Sequence, residues 1–266
     1  MDEKKSRFGV PMTADQYAEQ WEINSKSFFQ DGHYSWMAQQ LGGGKIVVEI
    51  GSGSGNGTLA LVNVGNSVLV VEPNEMLAQM TFNLLKDNDV GVSMVCPGSL
   101  DAPSFKDSCK VLIAPLDVFS SQVDDLLSSL SFDAIVCWLI GAEPDRISEY
   151  VGVDKYDFVG PEARDYREKV HSRCYELGRK HMPSGGVVQI VDRVGLDSWS
   201  NKGGYREALA ERHQELSVES YEVVPANTFL RKIEKKLRSS EIQYLADTNA
   251  YNAGALAFAS VKALLI

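Results

Sequence analysis

Two acids bracket the most suggestive stretch of this chain: Glu49, two residues before a run of alternating glycines, and Glu72, at the end of the next apolar run. The glycines Gly51, Gly53, Gly55 and Gly57 alternate with Ser52, Ser54 and Asn56. Such a run can turn tightly through positive φ and lets a ligand approach the backbone without meeting a Cβ. A carboxylate at a strand tip, as Glu72 would be, suits the diol of a ribose. Together these residues predict a nucleoside site.

The flanking elements are those needed to hold such a site. Ile46, Val47, Val48 and Ile50 read as a strand buried on both faces of a parallel sheet. Thr58, Leu59, Ala60 and Leu61 open a helix whose first N–H groups face the glycine turn. Val68 to Val71 is the second strand, which completes a β-α-β unit. The spacing argues against a dinucleotide. Counted from Gly51 or Gly53, a G-x-G-x-x-G/A pattern ends on Asn56 or Thr58, and only a count from Gly55, too far into the turn, fits by ending at Ala60.

With Glu49-Ile-Gly51-Ser-Gly53-Ser-Gly55 followed by Glu72, the chain resembles the class I S-adenosylmethionine-dependent methyltransferases, well over about residues 45–192 and loosely beyond. S-adenosylmethionine carries an ammonium, a carboxylate and a sulfonium but no phosphate. An acid near the turn is therefore favourable for it, where the same charge would repel a pyrophosphate. The resemblance implies a doubly wound α/β fold: a mostly parallel seven-stranded sheet with helices on both faces, an N-terminal helical lid over residues 1–44 and a helical insert before the last strand, with residues 45–266 forming the Rossmann-like domain. It implies that Glu49, Gly51, Ser52, Gly53, Gly55 and Glu72 hold the cofactor, that Pro73 lies against adenine, and that Asp117 accepts from the adenine amino group. Asp101 and Ser99 replace Asp117 if Val92 to Val95, rather than Val111 to Ile113, is the third strand. Within the segment ADQYAEQW, Tyr17 would meet the methionine end.

Phe132 to Trp138 resembles the fourth strand of that family, which places Trp138 to Glu143 beside the transferred methyl group. Leu139-Ile140-Gly141-Ala142 stands where amino-group methyltransferases of bases or glutamine carry Asn/Asp-Pro-Pro-Tyr residues. There is no Pro-Cys pair of the cytosine-C5 type, only Cys96-Pro97 in the reverse order. Pro183-Ser184-Gly185-Gly186 before Val187 to Val191 is a further likeness. The expected reaction is methyl transfer to an O, N or S atom of a small molecule. A protein side chain as acceptor, or a module that binds the cofactor without catalysis, are the alternatives. A nicotinamide oxidoreductase is disfavoured, since Tyr166 and Lys169 do not stand at a Tyr-x-x-x-Lys interval. General-base help is needed mainly for a hydroxyl acceptor, and His33, Tyr34 and Glu143 are the candidates, with Glu143 and Asp145 alternatively attracting a cationic substrate.

Elsewhere the pattern is that of a globular chain. Thr13 and Gln16 form a capping box before Tyr17, Trp21, Phe28 and Phe29 at helical spacing, and Tyr34 to Leu41 follows Asp31-Gly32-His33 before Gly42-Gly43-Gly44 breaks the helix. Pro73 is expected to start the helix bearing Met76, Leu77, Met80 and Leu84. A helix is predicted over 162–181 and another over 205–216, with strands at 218–224 and 255–261. The stretch 227–246 reads as a basic helix with Phe229, Leu230, Ile233 and Leu237 on one face. The 266 residues are 44% apolar, with a net charge of −10 and a calculated pI of about 5.0, a composition that disfavours a nucleic-acid substrate. Cys96, Cys109, Cys137 and Cys174 form no C-x-x-C pair and the four histidines are dispersed, so neither a disulfide framework nor a metal site is expected. With no apolar run near 20 residues and no apolar N-terminal segment, the expectation is a cytoplasmic monomer or homodimer with no membrane partner.

Overall fold

The computed structural model describes residues 11–95, 105, 108–234 and 254–266. Two helices come first, α1 (Ala14–Gln30) and α2 (His33–Leu41). The capping box forms: the Thr13 hydroxyl accepts from the Gln16 N–H, and the Gln16 side chain accepts from the Thr13 N–H at 2.9 Å. Then β1 (Ile46–Ile50), α3 (Asn56–Asn63), β2 (Ser67–Val71), α4 (Glu75–Asp87), β3 (Val92–Met94) and β4 (Val111–Ala114) follow. The chain continues through α5 (Ser121–Ser128), β5 (Ala134–Trp138), α6 (Pro144–Val151), α7 (Glu162–His181), β6 (Val187–Leu196), α8 (Lys202–Ser217), β7 (Tyr221–Glu222), β8 (Thr228–Lys232) and β9 (Ala255–Leu265).

The sheet runs β3-β4-β2-β1-β5-β6-β9-β7, with β8 also on β9. All pairings from β3 to β6 are parallel, and those of β9 with β6, β7 and β8 are antiparallel. Alternation sends Val48, Ile50, Leu69, Ile135 and Ile190 to one face, under α5 and α7, and Val47, Val68, Val70, Ile113 and Val136 to the other. On that second face Trp21, Phe28, Met37 and Leu61 complete the core, so α1 and α2 pack as part of it. From β1 the chain winds outward through β2 and then returns to place β5 on the other side of β1. This reversal opens a crevice at the carboxyl ends of β1 and β5, where open α/β sheets bind ligands.

Four expectations are corrected. The sheet has nine strands among the described residues, not seven: both candidate third strands form, β4 beside β2 in register Val68↔Val111 and β3 outside it, and β8 adds the ninth. The helix after Glu72 starts at Glu75, because the Asn74 side chain, 3.1 Å from the Leu77 N–H, caps it and leaves Pro73 in the connecting turn. The sixth strand shrinks to Tyr221–Glu222 behind a 3-10 turn. The predicted helical insert begins instead as β8, paired with β9 from Thr228↔Val261 to Lys232↔Ala257. Ladder bonds there, with Arg231 over the Trp36 ring and donating to the Asp31 carbonyl, outweigh the weak helical spacing of its apolar residues. The remainder of that insert from residue 235, and Ser99 and Asp101, lie outside the described residues. No helix among the described residues is long and apolar enough to cross a membrane.

Candidate functional site

The glycine turn leaves β1 through three left-handed residues, Gly51 (φ 78°), Gly53 (φ 54°) and Gly55 (φ 88°). It is tied to its neighbours at each step. The Gly51 N–H donates to the Val71 carbonyl at 2.9 Å, and the Gly53 N–H to Glu72 Oε2 at 3.1 Å. Thr81 on α4 donates its hydroxyl to the Gly53 carbonyl at 3.0 Å. Gly55 caps α3 so closely to Thr81 that an added Cβ would lie 2.8 Å from its Cα.

A cleft opens over this turn, with a cavity volume of about 50 Å³. Of the residues singled out in the sequence, Tyr17, Tyr34, Glu49, Gly51, Ser52, Gly53, Glu72, Pro73, Asp117, Trp138 and Glu143 all line it. Gly55 does not, acting one layer below as the helix cap. His33 does not either: its ring is 6% exposed, with Phe28 and Phe258 centroids at 6.2 and 4.7 Å, which places it in the aromatic core under α2. Side chains of the protein itself now lie on the turn. Trp21 Nε1 sits where a Cβ on Gly53 would be, within 2.1 Å, and Ile140 Cδ1 lies 2.4 Å from the equivalent point on Gly51.

The cleft's electrostatics are dominated by acids. Glu49 is 2% exposed, and the Thr58 hydroxyl donates to its Oε2 at 2.6 Å. Burial pushes its carboxyl up to about 8, against the Thr58 bond and with help from the Glu72 charge. Glu72 is 4% exposed and accepts from the Asn74 N–H at 3.0 Å as well as from Gly53. Burial pushes it up to about 7, opposed by those two N–H groups and by Arg146. Neither acid has an ion-pair partner among the described residues. By contrast Asp117 is already engaged, accepting from the Phe119 N–H at 2.9 Å through Oδ1 and from Arg146 through Oδ2.

Sequence reasoning missed Arg146, Tyr166 and Trp21. Arg146, on α6, pairs with Asp117 and lies 3.3 Å from Glu143. Burial works against its charge, but Glu143 and Asp117 outweigh burial and hold it protonated. Tyr166, on α7, is 4% exposed and burial raises its hydroxyl well above the usual range. The signal for α6 was present in Glu143-Pro144, since proline is favoured at a first helical position. No group of three His, Cys, Asp or Glu side chains is placed to hold a metal ion among the described residues.

No family model and no curated protein matches the sequence. Solved structures match in fold. The chain is similar to SMU.776, a candidate methyltransferase complexed with SAH, at 12% identity over 88% of this chain and 49% of that one, with a TM-score of 0.49. It is similar to the N-methyltransferase NodS from Bradyrhizobium japonicum WM9 at 12% identity over 88% of this chain and 96% of that one, TM-score 0.45. It is also similar to PH1948 from Pyrococcus horikoshii, a candidate RNA methyltransferase, at 13% identity over 88% of this chain and 83% of that one, TM-score 0.45. The chain thus spans about half the length of SMU.776. Fold does not fix function, which has to be read from the residues in the cleft.

Proposed function

We propose that this protein is an S-adenosylmethionine-dependent methyltransferase acting on a small molecule. The observation that carries the proposal is the pair of buried carboxylates, Glu49 and Glu72, facing a glycine turn and making no ion pair among the described residues. Two buried acids without an ion-pair partner are costly to ionise unless a ligand supplies positive charge or hydroxyl donors. S-adenosylmethionine supplies both: an ammonium and a sulfonium at one end, a ribose diol in the middle. Glu72 would take the ribose hydroxyls and Glu49 the cationic end, with Asp117 and Pro73 on the adenine side. The buried indole N–H of Trp138 has no acceptor within the protein among the described residues, and the cofactor's carboxylate is an acceptor that would meet it.

The bound cofactor supplies an activated methyl group for in-line displacement. The chain's contribution is to align the acceptor and exclude water, tasks for Tyr17, Trp21 and Tyr34 on the first two helices and for Ile140 beyond β5. Calorimetry of the purified protein with S-adenosylmethionine, its demethylated product, NAD and NADP tests the reading. Saturable binding of the first two, at about −8 kcal/mol and lost in Glu72→Ala, is expected. Binding of NAD instead, or no binding of S-adenosylmethionine, would refute it.

A further inference from the structure

Resting on that cofactor reading, we propose that the methyl acceptor is the nitrogen of a small organic amine, rather than an oxygen or sulfur acid or a phosphate-bearing molecule. The charge lining the cleft is the first ground. Its lining residues include four carboxylates, Glu49, Glu72, Asp117 and Glu143, and a single cation, Arg146, which is held between the last two of them. Among the described residues no lysine or histidine lines it. S-adenosylmethionine adds two positive charges and one negative, so with the four acids ionised the loaded cleft remains anionic. An anionic acceptor would enter against that field, and a cation with it.

The second ground is where charge goes during the reaction. An alcohol, acid or thiol reacts well only as its anion, which would place a fifth negative charge in a partly dry cleft. An amine reacts as the neutral base. Its lone pair forms the new C–N bond while the C–S pair returns to sulfur, so the positive charge passes from sulfonium to nitrogen and none is created or destroyed. The extra proton of the resulting ammonium then leaves to a lining carboxylate or to water. Fixed acids near the acceptor stabilise cationic nitrogen as it forms, offsetting the attraction that is lost as the sulfonium is neutralised.

The third ground is the aromatic side chains beside the acids: a Cβ on Gly57 would lie 2.9 Å from Glu49, 3.4 Å from Trp138 and 3.5 Å from Tyr34. The Tyr34 and Trp138 rings stack with centroids 6.5 Å apart and an interplanar angle of 28°, and the Tyr17 hydroxyl reaches over Gly141, 2.6 Å from where a Cβ would stand. Aromatic faces attract ammonium groups, and attract them more when water is excluded. Carboxylates and rings side by side therefore form a receptor for an organic cation.

The test uses one scaffold with four acceptors: 2-phenylethylamine, 2-phenylethanol, phenylacetate and 2-phenylethanethiol, each with the full-length protein and S-adenosylmethionine, reading formation of the demethylated cofactor and methylated product by mass spectrometry. The amine is expected to be turned over at least about tenfold faster than the others, with kcat/KM rising with pH as the free base is released. In Glu143→Gln the KM for the amine is expected to rise about tenfold, the weight of one unit charge several ångströms away, while an unfolding midpoint close to that of wild type reports an intact fold. Turnover of the alcohol, acid or thiol at or above the amine's rate overturns the proposal. So does an amine that is neither methylated nor bound by the cofactor-loaded protein. Failure to bind S-adenosylmethionine at all would instead remove the cofactor reading beneath it.

Discussion

If Glu49 and Glu72 are the groups that receive a cationic ligand, its affinity must depend on pH in a direction set by their burial. In the empty cleft Glu49 titrates at about 8 and Glu72 at about 7, both raised chiefly because burial penalises the charged form. A bound cation favours the ionised form, lowers both values, and so expels protons on binding. The sign follows: affinity for S-adenosylmethionine rises as pH increases towards these values. If Glu72 alone must ionise, the dissociation constant falls about 8-fold between pH 6 and pH 7.5, and if both must, about 200-fold, or roughly 1.2 and 3.1 kcal/mol. The window stops at 7.5 because an α-amino group on the ligand titrates at about 7.7–8.0.

Calorimetry at pH 6.0, 6.5, 7.0 and 7.5, each in two buffers of different ionisation enthalpy, measures both the affinity and the protons released. Glu49→Gln is expected to flatten the profile to the shallower limit, because the amide cannot ionise, while the Thr58 hydroxyl keeps an acceptor. A dissociation constant independent of pH across this range, or proton uptake instead of release, would refute the assignment of these carboxylates to a cationic ligand.

Two further outcomes test the packing around the site. Gly53→Ala would drive a methyl group into the Trp21 indole at a residue with φ 54°, so a loss of about 2–4 kcal/mol in urea unfolding is expected. A red shift of tryptophan fluorescence should accompany it, and unchanged stability with unchanged emission would show that Trp21 does not rest on the turn. His213 tests the opposite side of the sheet: its Nδ1 meets the Tyr175 hydroxyl at 2.9 Å, and burial depresses it to about 3, with His171 adding to the effect. A histidine depressed in the folded state contributes stability that is present above about 6.5 and is lost as pH falls. Wild type is therefore expected to lose about 1.4 kcal/mol per pH unit relative to His213→Gln between pH 6 and pH 4. The comparison is made as a difference because raised acids such as Glu72 shift stability the other way on acidification, and a constant difference would refute the buried neutral histidine.

What was legible in the sequence was short-range. The Glu49–Thr58 hydrogen bond joins residues nine apart, and Glu72 reaches Gly53 across nineteen, within one β-α-β unit whose strand, turn, helix and strand can each be read from local periodicity. The capping box at Thr13 is shorter still. What was not legible depends on which distant elements meet. His33 looks like a reachable turn residue until Phe258, from β9 near the far end of the chain, closes over it. Thr228–Lys232 carries a helical pattern that fails because β9 offers a full ladder of backbone partners. Arg146 has no marking in the sequence at all, because its importance comes from α6 folding back to Asp117, twenty-nine residues earlier, and it changes what Asp117 can do. A motif alone would leave that carboxylate free for adenine. With Arg146 bound to one oxygen and the Phe119 N–H to the other, an adenine bound as proposed would share an acceptor already in use. Since a carboxylate can accept on the order of four bonds, sharing is chemically sound, and in the proposed complex Arg146, paired with both Asp117 and Glu143, would couple the adenine side of the cleft to the Glu143 side.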